Sequence, residues 1–301
     1  MEYYTNILNA IGQTPMLDLT RISKGTVFAK AEFLNPGGSI KDRVAKYLIE
    51  QAEKAGELRP GMTIAEATSG NTGIGVTLVG IHKGYRVVIL MPEDMSEERK
   101  KIIQALGAEF IPTPAAASIR GAVERRDAMA AADPNVWVVG QFSNPRNPES
   151  HYEETAPEIW QQMEGNIAAF VAGVGSGGTL GGVGKFLKEK DRSVHVVAVE
   201  PANAAALLGH EPGLHRIQGI GDGFIPPVLD TGLIDEVITV TDDDAVETTR
   251  RLARLEGALC GTSSGANVWA ALTVSAELGP GNNVITVLPD RAERYFSTAL
   301  I

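Results

Sequence analysis

Two rhythms of apolar and polar positions alternate along the chain. Short apolar runs read as strands at Thr63 to Glu66, Arg86 to Met91, Glu109 to Pro112, Val136 to Val139, Ala168 to Ala172, Val194 to Glu200, Glu236 to Val240 and Asn283 to Leu288. An earlier strand-like run covers Val27 to Phe33. Between these runs, apolar residues recur at helical spacing over Thr72 to Lys83, Ser96 to Leu106, Ile119 to Ala132, Glu154 to Met163, Leu180 to Glu189 and Asp243 to Glu256. Val44, Tyr47, Leu48 and Ala52 mark another helix that opens near Lys41, and Ser263 to Glu277 reads as one more. Strands spaced in this way, with helices between them, are repeated βαβ units. The pattern predicts an α/β chain of mostly parallel sheets with helices on both faces. The polar segment Gln141 to Pro148, with two prolines, is the expected internal boundary, and a cleft beside it is where a ligand would sit. Pro201 to Pro227 reads as a long, Gly- and Pro-rich loop of the kind that carries function or motion.

Composition narrows the class. With 301 residues, 44% hydrophobic and 21% charged, the chain suits one large globular domain or two medium ones. A net charge of −10 argues against nucleic acid or an anionic membrane as the main partner. No apolar run reaches membrane length and no signal segment is evident at Met1, so a cytoplasmic location is expected. A single cysteine, Cys260, excludes an internal disulfide framework and fits that compartment; it reads as a small buried residue. His82, His151, His195, His210 and His215 show no metal-ligand spacing, so they read as structural or surface residues and no metal is expected.

The candidate chemistry lies where strands hand over to helices. Lys41, in Asn35-Pro36-Gly37-Gly38-Ser39-Ile40-Lys41-Asp42-Arg43, sits at such a junction. The positive end of a helix dipole and desolvation both favour a neutral amine, which is a nucleophile able to form a Schiff base with an aldehyde cofactor. Thr68-Ser69-Gly70-Asn71-Thr72-Gly73 also follows a strand and opens a helix. Its hydroxyls, amide and backbone N–H groups fit a carboxylate, or else serve as a plain helix cap. Gly173-Val174-Gly175-Ser176-Gly177-Gly178-Thr179 matches the dinucleotide pattern, with Glu200 ending a strand further on. The same geometry binds any phosphate, and Ser176 and Thr179 add donors suited to a terminal one, so a nicotinamide enzyme and another phosphate ligand both remain open at this point. Gly261-Thr262-Ser263-Ser264-Gly265 precedes a further helix, and Gln218 to Phe224 is a glycine-rich loop.

Together these segments resemble the cysteine synthase and cystathionine β-synthase family of fold-type II pyridoxal phosphate enzymes. The resemblance runs through Ile11-Gly12-Gln13-Thr14-Pro15, Ser39-Ile40-Lys41, Thr68 to Gly73, Met91-Pro92, Gln141-Phe142-Ser143-Asn144-Pro145, Pro157-Glu158-Ile159-Trp160, Gly175 to Thr179, His215 to Gly221, Ser263-Ser264-Gly265 and Glu293 to Thr298, which is nearly the whole chain. It implies two open, mostly parallel sheets flanked by helices, with pyridoxal 5′-phosphate in the cleft between them. Residues 35–145 would form a smaller mobile substrate-binding domain, and residues 1–34 with 146–301 a larger cofactor-binding one. Lys41 is then the Schiff-base lysine and the base for the α-proton. Asn71 stands beside the cofactor's 3′ oxygen, Gly175, Ser176, Gly177, Gly178 and Thr179 hold the phosphate, and Ser263 meets the pyridine nitrogen. Thr68, Ser69, Asn71, Thr72 and Gln141 bind the substrate. The implied reaction is β-replacement on an activated serine, above all cysteine synthesis from O-acetylserine and sulfide through an α-aminoacrylate. Cystathionine or lanthionine formation from cysteine or serine and an amino-thiol is the related alternative. A homodimer, and a serine acetyltransferase as possible partner, come with the resemblance.

The chain departs from the family pattern in places. Ala156 stands where a glycine is usual, and Ser118-Ile119-Arg120 where Gly-Met is frequent. The most informative departure is Asp222, in a loop where a small residue is common. Either it is a solvated loop acid, or it reaches the cleft and acts on a second amino acid's ammonium or on a proton in transit.

Overall fold

The computed structural model describes residues 3–23 and 26–298, so positions 1–2, 24–25 and 299–301 of the expected larger domain lie outside the described residues. In chain order the elements begin with β1 (Met16–Asp18), α1 (Thr20–Ser23), β2 (Val27–Lys30) and α2 (Lys41–Lys54). A βα run follows, made of β3 (Thr63–Ala67), α3 (Asn71–His82), β4 (Arg86–Pro92), α4 (Glu97–Ala105), β5 (Glu109–Thr113), α5 (Ser118–Ala132) and β6 (Val136–Val138). The remainder comprises α6 (Arg146–Ser150), α7 (Ala156–Gln162), β7 (Ala169–Gly173), α8 (Gly178–Lys190), β8 (His195–Pro201), β9 (Glu236–Val240), α9 (Asp242–Arg251), α10 (Thr262–Leu278) and β10 (Val284–Val287).

Among the described residues these strands form two sheets. One has the order β1-β2-β10-β7-β8-β9 and the other β5-β4-β3-β6. Pairing is parallel except between β1 and β2. Central parallel strands bury both faces and so read as continuous apolar runs. All five residues of β3 are buried, as is every residue of β4 after Arg86. The larger sheet is packed on one side by a cluster with Val171, Val197, Val199 and Val268, and on the other by one with Phe170, Val183, Val196 and Ile285. The smaller sheet shares a core with α2 and α3 built on Val44, Leu48, Ile64, Ile74, Val79 and Ile89.

Three local features differ from the sequence expectation. The strand beginning at Val27 stops at Lys30, and Glu32–Leu34 forms a short 3-10 turn. Strand β1 was not expected, because three residues at an antiparallel edge leave no periodic run. The boundary segment turns at Gln141 and then enters α6, which continues through a π-helical stretch at His151–Thr155 into α7.

Strand order fixes where ligands can bind. In open α/β sheets the crevice lies beyond the carboxyl ends of the strands where the winding direction reverses. In the larger sheet that point falls between β10 and β7, and in the smaller between β3 and β6. Two close approaches hold the helices there. A Cβ added at Gly75 of α3 would come 2.7 Å from the Lys41 carbonyl oxygen, so glycine lets α3 pass directly against the start of α2. Arg43, fully buried two residues after Lys41, donates to Glu32 at 2.8 and 2.9 Å and to both Glu158 oxygens at 2.7 Å. This buried ion cluster anchors α2, and loss of one partner would leave an unpaired buried charge, a cost of about 3–5 kcal/mol.

Candidate active site

The starts of α2, α3, α8 and α10 converge on one cleft holding about 800 Å³ of space, its open mouth included. Its lining contains every site residue expected from the sequence: Lys41, Thr68, Ser69, Asn71, Thr72, Gln141, Gly175, Ser176, Gly177, Gly178, Thr179, Asp222 and Ser263.

Lys41 is the first residue of α2. The main chain before it is held to the end of β10: Ile40 N–H donates to the Pro289 carbonyl at 2.9 Å, and Ser39 pairs with Asp290 in an isolated bridge. The Lys41 ammonium reaches into the cleft, 3.3 Å from Ser176 Oγ. Burial lowers its pKa, while the Asp222 and Asp290 carboxylates oppose that shift. The balance favours the neutral amine more than it would in water.

The loop after β7 is shaped by glycine. Gly177 has φ of 79° and caps α8, a left-handed conformation that a side chain would strain. A Cβ at Gly178 would fall 2.0 Å from Asn147 Oδ1, and one at Gly175 would fall 2.3 Å from the Gly219 carbonyl oxygen. Asn147 Nδ2 donates to Ser176 Oγ at 3.0 Å and to the Gln141 carbonyl at 2.8 Å. Thr179 Oγ1 lies 3.3 Å from His151 Nε2. His151 is fully buried, and burial holds its pKa well below the usual imidazole value. The first turn of α8 therefore offers backbone N–H groups and two hydroxyls, the donor set an anion needs.

The loop after β3 faces it. Thr68 Oγ1 accepts from Gly70 N–H at 3.0 Å, and Thr72 Oγ1 donates to Gln141 Oε1 at 2.5 Å. Gln141 itself is held from behind, since Gly140 and Gln141 N–H donate to the buried Glu66 carboxylate at 2.9 and 3.4 Å. The Asn71 amide is gripped at both ends: Nδ2 donates to Asp290 Oδ2 at 2.6 Å, and Oδ1 accepts from Arg294 at 2.8 Å. Ser263, 2% exposed, opens α10 on the far wall.

Asp222 also stands in the wall. Its surface is open to the cleft, yet protein crowds the carboxyl enough to raise its pKa by desolvation, against the pull of Lys41 and His215. Being open, it is also screened by solvent, which softens the shift. Phe142 of the lining meets Phe224 edge to face at 5.3 Å.

Sequence reasoning missed Asn147, Asp290, Arg294 and Phe142 as parts of this site. Asp290 lies just beyond β10, at the strand end where α/β sheets place ligands, but no local motif marks it. The nicotinamide alternative meets an obstacle at Glu200. That carboxylate, on a 2% exposed residue, accepts from Leu207 N–H at 3.0 Å and is spent within its own loop, not presented to a ribose. Cys260 is buried, and burial pushes its thiol pKa up, in line with an inert residue.

A family model described as pyridoxal-phosphate dependent enzyme matches residues 7–290. The chain is 48% identical over 299 residues to a cysteine synthase of Staphylococcus aureus, covering 98% of this chain and 96% of that one. Among solved structures it resembles an O-acetylserine dependent cystathionine beta-synthase from Helicobacter pylori, with a TM-score of 0.94, 41% identity and coverage of 100% and 99%. It also resembles a cysteine synthase from Entamoeba histolytica, with a TM-score of 0.93, 42% identity and coverage of 99% and 91%.

Proposed function

Because the chain belongs to the pyridoxal-phosphate dependent enzymes, we propose that it catalyses β-replacement on O-acetylserine, with sulfide as acceptor and cysteine as product. The observation that carries this reading is the convergence of an amine, a phosphate-type loop and a carboxylate-type loop on one cleft. The residues fit the cofactor. The glycine-cut loop at 175–179 suits a phosphate, Lys41 can reach an aldehyde, Asn71 lines the wall beside it, and Ser263 offers a hydroxyl at the start of α10 for the pyridine nitrogen.

When bound, the cofactor supplies an electron sink for the pair left at Cα as the α-proton departs. The chain does the rest. Lys41 would hold the cofactor's aldehyde carbon through Nζ, and the same amine is placed to take the α-proton. Thr68, Ser69 and Thr72, around the start of α3, hold the substrate carboxylate with Gln141, which Glu66 keeps in place, while Asn71 stands beside the cofactor's 3′ oxygen. A serine hydroxyl at the ring nitrogen is a weak partner compared with a carboxylate, so charge at Cα is short-lived and loss of the β-acetate is favoured. Residues 35–145 act as a smaller unit that closes on the carboxylate and excludes water.

The test is direct. Purified protein should be yellow, should lose its colour with borohydride, and should form cysteine from O-acetylserine and sulfide. Colourless protein that stays colourless when cofactor is added would refute the reading.

A second reading concerns the acceptor, and the place of Asp222 in the cleft wall favours it. Asp222 would receive the ammonium of an amino-thiol or a proton in transit, so cysteine or homocysteine would serve as well as sulfide. Asp222→Ala should then lose more activity with those amino acids than with sulfide; equal losses exclude it. We extend the proposal to a cytoplasmic homodimer that can take a serine acetyltransferase as partner; sedimentation with and without the acetyltransferase would test the dimer and the partner. No helix among the described residues is long and apolar enough to cross a membrane.

A further inference from the structure

We infer that Asp290 is a positioning residue for the cofactor: it fixes the Asn71 carboxamide so that one amide N–H is left aimed into the cleft at the cofactor's ring oxygen. This rests on the reading that pyridoxal 5′-phosphate occupies the cleft with Asn71 beside its 3′ oxygen. Asp290 follows β10 and is 1% exposed. The cleft lining includes Asn71 and Pro289 but stops short of Asp290, so Asp290 acts through another residue.

The amide orientation follows from charge. Asn71 Nδ2 donates to Asp290 Oδ2 at 2.6 Å, and Asn71 Oδ1 accepts from the Arg294 guanidinium at 2.8 Å. A flipped amide would set its carbonyl against the carboxylate and its NH₂ against the cation, both repulsive. An amide nitrogen carries two hydrogens, and Asp290 takes one. The other is free to meet an oxygen in the cleft, already oriented before the ligand arrives.

Asp290 is itself held tightly. Tyr295 donates its hydroxyl to the same Oδ2. The Asp290 carbonyl accepts from Gly261 N–H at 3.0 Å, just ahead of α10, and the bridge to Ser39 lies just ahead of Lys41. A Cβ at Gly261 would fall 2.3 Å from Asp290 Oδ1, so glycine there makes room for the carboxylate. One residue thereby sets the spacing of the lysine, the carboxamide and the serine helix.

A double-mutant cycle read by cofactor binding tests the proposal. Apoprotein is titrated with pyridoxal 5′-phosphate for Asp290→Asn in the native and in the Asn71→Ala background. If Asp290 works through Asn71, Asp290→Asn weakens binding about tenfold in the native background and shifts the visible band of the bound cofactor. In the Asn71→Ala background it changes affinity by less than about twofold. Equal losses in both backgrounds overturn the proposal and mark Asp290 as a general support of the fold. Should Asp290→Asn fail to fold, Tyr295→Phe in the same two backgrounds removes the other hydrogen bond to Asp290 Oδ2 and loosens the same carboxylate, with a smaller loss of the same pattern expected and equal losses again fatal. Native protein that takes up no cofactor would instead overturn the reading on which the proposal rests.

Discussion

The role proposed for Lys41 rests on position more than on residue type. The chain has 27 lysines and arginines, but this one begins a helix, faces a cleft and is desolvated there. Replacing it with alanine should cost at least about a thousandfold in turnover, because the covalent anchor and the proton acceptor proposed at this residue vanish together. Mass spectrometry after borohydride should find cofactor on the Lys41 peptide of the native protein and none on the variant. Lys41, Asn71 and the 175–179 loop were legible in the sequence because each sits inside a short contiguous motif. Asp290 and Arg294 were not, since their meaning lies in bonds to Asn71 that span 219 and 223 positions. Asn147 was hidden for the same reason: its partner Ser176 stands 29 residues on, and only the packing of α6 against the α8 loop joins them.

The elements place these side chains through contacts that tolerate little change. Gly175→Ala would drive a methyl into the Gly219 carbonyl, backbone against backbone. Cofactor affinity should fall by about tenfold or more, and the overpacked loop should lower the melting temperature of the apoprotein as well, as equilibrium dialysis and thermal melts would show. Glu66 of β3 gives a pH signature. Burial is the largest cause of its raised pKa, from the usual 4.5 to about 7, against the pull of Arg126 and two backbone N–H groups. A folded pKa above the unfolded one means that the protonated carboxyl favours the fold. That contribution is whole below 4.5 and is lost as pH rises to about 7. Urea midpoints measured at about pH 5 and pH 8 should therefore fall for the native protein, by the equivalent of about 2–3 kcal/mol, and fall much less for Glu66→Gln. Most elements could be read from periodicity, since long buried strands and amphipathic helices announce themselves. Strand β1 could not, and neither could the π-helical join between α6 and α7, where Ala156 packs without exposure.

The whole molecule sets two winding reversals face to face, which is why residues from 41 to 263 share one cleft. A few side chains tie the two sheets' layers together across it. Arg99 of α4, buried at 2% exposure, donates to Gln218 at 2.5 Å and lies 4.9 Å from the Tyr295 ring centre. The neighbouring Glu98 accepts from Ser297 N–H at 3.0 Å and from its hydroxyl at 2.8 Å. If the smaller unit closes over bound substrate, this tie favours the closed form. Arg99→Gln should raise KM for the amino-acid substrate about tenfold and leave the cofactor dissociation constant unchanged. Steady-state kinetics paired with a cofactor titration would check it.

Strand β10 lies between β2 and β7, yet follows every other strand along the described chain. During synthesis the larger sheet must therefore wait, split open along its centre, until residues 284–287 leave the ribosome. Before that moment β2 and β7 each present an unpaired edge, and the wall that carries Pro289 does not exist. A nascent chain has no complete pocket to fill, so cofactor capture should follow release of this strand, and the open seam is where premature pairing with another chain would begin.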